Sequence, residues 1–358
     1  MRWWKLQQLK SKAPETRLQA LEKLAEEDPS ANAAAFLDAL QDSDPHIRKA
    51  AAEALGQSRE ERAAKPLMAT NVGGNRFKIT ARALNGEEAA CIAANALEVN
   101  HSGVANYYDS QRFGGGAARE ELPGRSIIKR DFEGALKLHL AVPRRKQSLR
   151  DKRVRKECAA HWGEWDKLMK KLPRSSERSV IGYLVEHADD FRGALDRVDE
   201  RLLTLYLAAY QSLLFNDSLV ALVAASVPQD QTREVKYQGG TMLLWRTLDD
   251  ATLAKLRETK LPLLAHSTKL DEFSDDAQLA VNAALERDGA KLEDLVVKGL
   301  DKVRLRPAER AALIMPADLS VSDAEPDELN EDRLKVTVSF VLPRGAFATV
   351  VMKRLGMK

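Results

Sequence analysis

The run Asn106-Tyr107-Tyr108-Asp109-Ser110-Gln111-Arg112-Phe113-Gly114 constrains this chain more than any other stretch. Glycine stands before it at 103 and after it at 114, 115 and 116. Glycines permit tight turns and close backbone approach, so the segment is a loop built on two adjacent aromatics. Residue types give it two readings. In the plainer one the aromatics are core and Arg112 pairs with a buried acid. In the other, the aromatics stack on a flat base, Asn106 hydrogen-bonds the base edge, and Arg112 holds a phosphate or a carboxylate. Taken alone, the run favours the plainer reading.

The chain changes texture near residue 70. Upstream, Pro14-Glu15-Thr16-Arg17-Leu18 through Leu24 lines up with Pro45-His46-Ile47-Arg48-Lys49 through Leu55 at an offset of 31 residues (45 − 14). Asp44-Pro45 reads as an N-cap and first helical position, Gly56 as a helix end, and Leu37 with Leu40 as one helical face. The pattern resembles HEAT repeats, with Ala64-Lys65-Pro66-Leu67 opening a further copy. Residues 1–67 are therefore expected to form HEAT-like helical hairpins. Such arrays need three or more copies to bury a continuous core, and about two are present. The segment must dock on the rest of the chain, meet a protein partner, or be marginal.

Downstream, Asn71 to Asn75 is a turn cluster. Phe77, Ile79 and Ala81 alternate with Lys78, Thr80 and Arg82 as in a half-buried strand. Glu87 to Glu98 reads as a helix, and residues 127–225 as mostly helical. Leu202 to Phe215 is the most apolar helix, with Gln211, Ser212 and Asn216 as polar residues at one end of a core element. Trp162 and Trp165, three apart, read as the buried face of one helix. Gly239 to Trp245 reads as a turn and strand, Asp250 to Lys260 and Asp275 to Arg287 as helices. Leu334, Val336, Val338 and Phe340 alternate with polar residues as a strand, and a final helix starts at Ala348.

Composition sets bounds on function. With 44% hydrophobic and 30% charged residues over 358 positions, the chain is globular and long enough for two or three domains. The net charge is only +3, yet Arg144 to Arg178 holds 13 Lys/Arg against 5 Asp/Glu. A charge run is commonly a solvated face; clustered cations also supply phosphate contacts to nucleic acid. Cys91 and Cys158 are the only cysteines, too few for a disulfide framework and without metal-ligand spacing. A reducing, cytoplasmic compartment is expected. No apolar run approaches ~18 residues, so no membrane span is expected.

Four ordered motifs carry a family resemblance. The run at 106–114 resembles the Asn-Tyr-Phe-Gly-x-Gln-Arg-Phe-Gly signature of the TruD family of tRNA pseudouridine synthases, with Tyr108 in place of Phe and Asp109 in place of Gly. Gly74-Asn75-Arg76-Phe77-Lys78-Ile79, Tyr210-Gln211-Ser212-Leu213-Leu214-Phe215-Asn216, and Phe340-Val341-Leu342-Pro343-Arg344-Gly345-Ala346-Phe347-Ala348-Thr349 resemble its other motifs, over residues 70–358. The resemblance implies an α+β chain: HEAT-like hairpins (1–67), then a pseudouridine-synthase-type mixed-sheet catalytic domain lacking its first part (70–225 and 316–358), interrupted by an α/β insertion domain (228–315).

It also implies a chemistry: isomerisation of uridine to pseudouridine in tRNA, at position 13, with no metal or cofactor. The reaction needs an Asp near the sugar C1′, an aromatic platform, and a basic residue to orient the Asp. Asn106, Tyr108, Phe347 and Lys353 match substrate-binding positions, Lys353 standing about where the family has Arg. Beside this resemblance, the candidates for RNA contact are Arg112, Arg144, Arg145, Lys146, Arg150, Lys152 and Arg153. The family's catalytic Asp motif, Gly-x-Lys-Asp-Arg-x-Ala-x-Thr, has no counterpart, so the catalytic residue is left unassigned and little or no conversion is expected. Three readings stay open: a member that binds RNA without reacting, a fused or disrupted gene, or a substitute acid, for which Asp109 is the only one inside the active-site motif. The alternative class is a non-catalytic RNA- or protein-binding module built on helical repeats.

Overall fold

The structure, a computed structural model, describes residues 2–57, 73–114, 119–143 and 147–357. It divides into two compact units, Met1–Asn75 and Arg76–Lys358. Helices and strands both build it, and the α+β class expected from the sequence holds.

The first unit contains helices Arg2–Gln8, Pro14–Glu27, Ala33–Ala39 and Pro45–Gln57. Proline opens the second and fourth, where the missing N–H costs nothing. Leu21, Leu24, Phe36, Ile47, Ala51, Ala54 and Leu55 form a core of their own. Arg17 grips both oxygens of Asp42 at 2.8 Å, and this bidentate pair joins the two aligned helices' surroundings. Two details differ from the sequence reading, and a third expectation falls on residues that are not described. Phe36, fully buried, is the core residue of the third helix, while Leu37 and Leu40 only flank it. Gly56 lies inside the fourth helix and does not end it. Ala64 to Leu67 lie outside the described residues.

In the second unit, strand Asn75–Leu84 is half-buried in the expected alternation. It pairs with strand Leu334–Leu342, whose other neighbours, Ala317–Val321 and Glu325–Pro326, run antiparallel to it. Helix Gly86–Ser102 starts on a capping box between Asn85 and Glu88. A hairpin of Thr232–Tyr237 and Gly240–Trp245 extends the single strand expected there.

The long helix Glu200–Ser226 is the core of this unit. It is long and apolar enough to cross a membrane, but 78% of its most apolar window is buried inside the fold. Each fully buried Leu or Phe along it contributes about 1.5–3 kcal/mol. Helix Pro123–Ile128 crosses it so closely that a Cβ on Gly124 would lie 2.1 Å from the Tyr206 carbonyl oxygen. Trp162 and Trp165 do not share a helix. A turn at Gly163 separates helix Leu149–Ala160 from helix Trp165–Lys171, and the two rings meet edge to face at 5.1 Å. They pack as core, as expected, but across a corner.

Candidate active site

The glycine-bounded loop is held from three sides. Val104–Ala105 pairs with Leu313–Ile314, and the Asn106 N–H continues the ladder to the Ala312 carbonyl at 2.9 Å. Gly103 makes this possible: its φ is 64°, and a Cβ there would sit 2.7 Å from the Ile314 oxygen. A short 3-10 turn, Ser110–Phe113, follows and closes on Gly114 at φ 72°.

The long helix supplies the second hold. Asn216 accepts from the Tyr108 N–H at 2.9 Å and donates to the Tyr108 carbonyl at 2.8 Å. Ser212 accepts from Arg112 Nε at 3.0 Å, and Gln211 donates to the Leu264 and Arg306 carbonyls. These polar residues looked like punctuation of a core helix. Each is instead a clamp on the site or its surroundings. A buried amide beside an unpaired loop backbone was the available signal, since such groups rarely stay unbonded.

Arg310 is the third hold, and the sequence reading missed it. It comes from strand Ala308–Ala311. Its Nε donates to the Asn106 carbonyl at 3.0 Å, Nη2 to Asn106 Oδ1, and Nη1 to the Gly345 carbonyl at 2.9 Å. Its guanidinium carbon lies 4.2 Å from the centre of the Tyr108 ring. Burial pulls the Arg310 guanidinium below its ordinary value, and Arg112 adds a like charge. No sequence period links Arg310 to Asn106, 204 positions away.

Asn106, Tyr108, Phe347 and Lys353 come together. The Tyr108 ring meets Phe347 at 5.6 Å and Phe215 at 5.5 Å, both edge-on. Arg112 approaches the same ring at 5.4 Å. Tyr108 is only 7% exposed, so the open stacking face expected from the sequence is covered, chiefly by Arg310. An adjoining cleft of about 280 Å³ is lined by Asn106, Tyr108, Arg310, Pro343, Arg344 and Glu309 among others.

Asp109 is 3% exposed. Its Oδ1 accepts from the Ser110 N–H at 2.7 Å and from the Lys353 ammonium. Burial would raise this carboxyl, yet the Lys353 ammonium and the Ser110 N–H hold it below its ordinary value, as an ionised group.

The basic candidates divide. Arg150, Lys152 and Arg153 are exposed along helix Leu149–Ala160. Arg112 belongs to the loop. Arg144, Arg145 and Lys146 lie outside the described residues. Arg155, in the same run, is buried and donates to the His139 and Val142 carbonyls, so it is structural.

A family profile described as tRNA pseudouridine synthase D (TruD) matches residues 40–355. The chain belongs to the TruD family. The match starts at residue 40 rather than near 70. Among its relatives, the Methanocaldococcus jannaschii protein named probable tRNA pseudouridine synthase D 2 is 30% identical over 313 residues, covering 86% of this chain and 71% of its own length. The Methanococcus maripaludis protein named probable tRNA pseudouridine synthase D 1 is 30% identical over 295 residues, 81% and 74% of the two chains. A crystal structure of the Methanosarcina mazei TruD protein superposes with a TM-score of 0.62 at 23% identity, over 80% of this chain and 69% of that one. TruD proteins are tRNA pseudouridine synthases, an isomerase family.

Proposed function

We propose that this TruD protein isomerises a uridine in tRNA, at position 13, and that the cleft beside Asn106 is its base site. One observation carries the reading. Arg310 over the Tyr108 ring, with the Asn106 amide beside it, lines an opening of nucleobase size formed by two of the chain's TruD motifs and one cation from a remote strand. Guanidinium and aromatic surfaces accept stacked bases, and an amide reads a base edge. Phe347 packs edge-on against the Tyr108 ring, Lys353 pairs with Asp109 of the same loop, and Arg112 ties that loop to Ser212. The exposed Arg150, Lys152 and Arg153, with Arg144, Arg145 and Lys146, supply phosphate contacts for the tRNA. We read residues 70–225 with 316–358 as the catalytic part, 228–315 as the insertion and 1–67 as HEAT-like. A cytoplasmic location fits two free cysteines.

The test is tRNA binding by wild-type protein and by Tyr108→Ala, with pseudouridine mapped chemically on the RNA. Tyr108→Ala removes the ring on which the Arg310 guanidinium rests, so Arg310 loses its place on the cleft wall and the variant should bind at least about fivefold more weakly, a loss of roughly 1 kcal/mol. Equal binding by both proteins would remove the cleft from the reading.

A further inference from the structure

We propose that the cleft between His266, Arg304 and Arg306 is a phosphate subsite that holds the tRNA backbone beside the base site. The proposal rests on the cleft at Asn106 being that base site. Arg304 and Arg306 stand two apart in the sequence, and the fold turns that spacing into one charged face. Val303 and Leu305 are buried while Arg304 and Arg306 are exposed, the alternation of an extended chain. Pro307 follows, its φ fixed by the ring, and leads into strand Ala308–Ala311.

A cavity of about 480 Å³ adjoins this face, lined by both arginines, His266, Ser267, Pro307 and Leu295 among others, and no carboxylate lines it. That sets it apart from its neighbours. The cleft at Lys255 and Lys260 also carries Glu258, Glu272, Asp276 and Glu309, and the one at Lys129 and Lys298 carries Asp294. Clefts of mixed sign neutralise themselves, whereas two guanidiniums, an imidazole and a hydroxyl without an acid select an anion. Among the described residues, no acid pairs with either guanidinium. An arginine fork matches phosphate oxygens two at a time.

The backbone of the cleft is held independently of its charges. Gln211 on the long helix donates to the Leu264 and Arg306 carbonyls at 2.8 and 3.0 Å, and the His266 N–H donates to the Leu295 carbonyl at 3.2 Å. Arg306 is thus gripped by its main chain, which leaves the guanidinium to a ligand. The same ribbon carries the base cleft. Leu263, which lines that cleft, pairs with Ala308, and Leu261 pairs with Arg310. His266 follows Leu263 by three residues. The Cα atoms of Arg306 and Arg310 are at most about 14 Å apart, the span of four extended residues. A strand whose uridine occupies the base cleft therefore brings a phosphate within a few nucleotides of it to Arg304 and Arg306, and phosphate contacts of this kind fix the register of a nucleic acid.

The experiment is tRNA binding by the full chain over a salt series, with wild type, the double variant Arg304→Gln/Arg306→Gln, the double variant Arg304→Lys/Arg306→Lys and Tyr108→Ala, alongside thermal melting. The glutamine pair should weaken binding at least about fivefold at low salt and reduce the slope of log affinity against log salt by about one to two units, with the melting temperature unchanged. The lysine pair keeps the charge and should keep the slope, which a structural role for the arginines would not produce. Neutral methylphosphonate linkages placed singly around the target uridine locate the contact: one of them should weaken binding to wild type and leave the glutamine pair unaffected. Wild-type slope and affinity in the glutamine pair, or no linkage with that pattern, would overturn the proposal. So would inorganic phosphate that raises the melting temperature of wild type and not of the glutamine pair while both bind tRNA alike, since the cleft would then serve a free phosphate compound. Loss of tRNA affinity by Tyr108→Ala but not by the glutamine pair would remove this subsite alone; wild-type protein that binds no tRNA would remove the base site with it.

Discussion

Single side chains in this molecule hold backbone more than they hold each other. Asn216 occupies both polar groups of Tyr108, and its removal strands a buried N–H and a buried carbonyl. Each stranded group costs about 1–3 kcal/mol, so Asn216→Ala should destabilise the protein by roughly 2–6 kcal/mol in urea denaturation. Arg354 predicts the opposite sign. It is 1% exposed, its Nε and Nη1 meet no acceptor among the described residues, and burial pulls its guanidinium below the ordinary value. Arg354→Met keeps the volume and removes the unpaired charge, and should raise stability by about 1–3 kcal/mol. A lower unfolding midpoint for Arg354→Met would show the charge to be satisfied. Asp327 sets a pH dependence. Burial would raise its carboxyl, but the Ala83 and Leu329 N–H groups, Asn330 and Arg82 hold it well below its ordinary value. A depressed pKa contributes stability above the unfolded value, near roughly pH 4, and loses it as pH falls toward the folded one. Asp327→Asn should flatten that acid limb of the stability curve.

At the scale of elements, one buried acid joins three helices. Asp288 ends helix Asp275–Asp288 with its side chain fully enclosed. It accepts from Arg119 at 3.0 Å, from Arg125 at 2.9 Å and from the Tyr210 hydroxyl at 2.9 Å. Arg119 also binds Asp217 on the long helix. Breaking one partner of a buried ionic network costs about 3–5 kcal/mol, so Asp288→Ala should destabilise by that amount in a urea melt, and a loss under about 1 kcal/mol would show the network to be solvated. The elements themselves were largely legible. Strand Asn75–Leu84, the long helix and strand Leu334–Leu342 follow their apolar periods. The Trp162–Trp165 pair was misread because a spacing of three fits a helix face and a corner between helices equally well.

For the whole molecule, RNA binding and assembly are the measurable consequences. Replacing Arg150, Lys152 and Arg153 by Ala should weaken tRNA binding and reduce the slope of log affinity against log salt by about one unit per lost phosphate contact. An unchanged slope would mark that helix as an ordinary solvated face. Among the described residues, the core of the first unit is a cluster of eight buried apolar side chains. Units of this size bury too little surface to be robust alone, so residues 1–67 expressed separately should melt with low cooperativity in circular dichroism.

The sequence by itself determined the periodic elements, the ordered motifs of a TruD protein, and which residues of the 106–114 loop could meet a base. Local spacing carries that information, because apolar period and turn chemistry act over a few residues. It did not reveal Arg310 over Tyr108, the clamp from Asn216, or the pairing of Asp109 with Lys353. Those contacts join positions 108 to 244 residues apart, and no local rule links such positions. Only the packing of the long helix and the return strands brings them within hydrogen-bond distance, and only that packing covers the Tyr108 ring and holds a buried acid in its charged form.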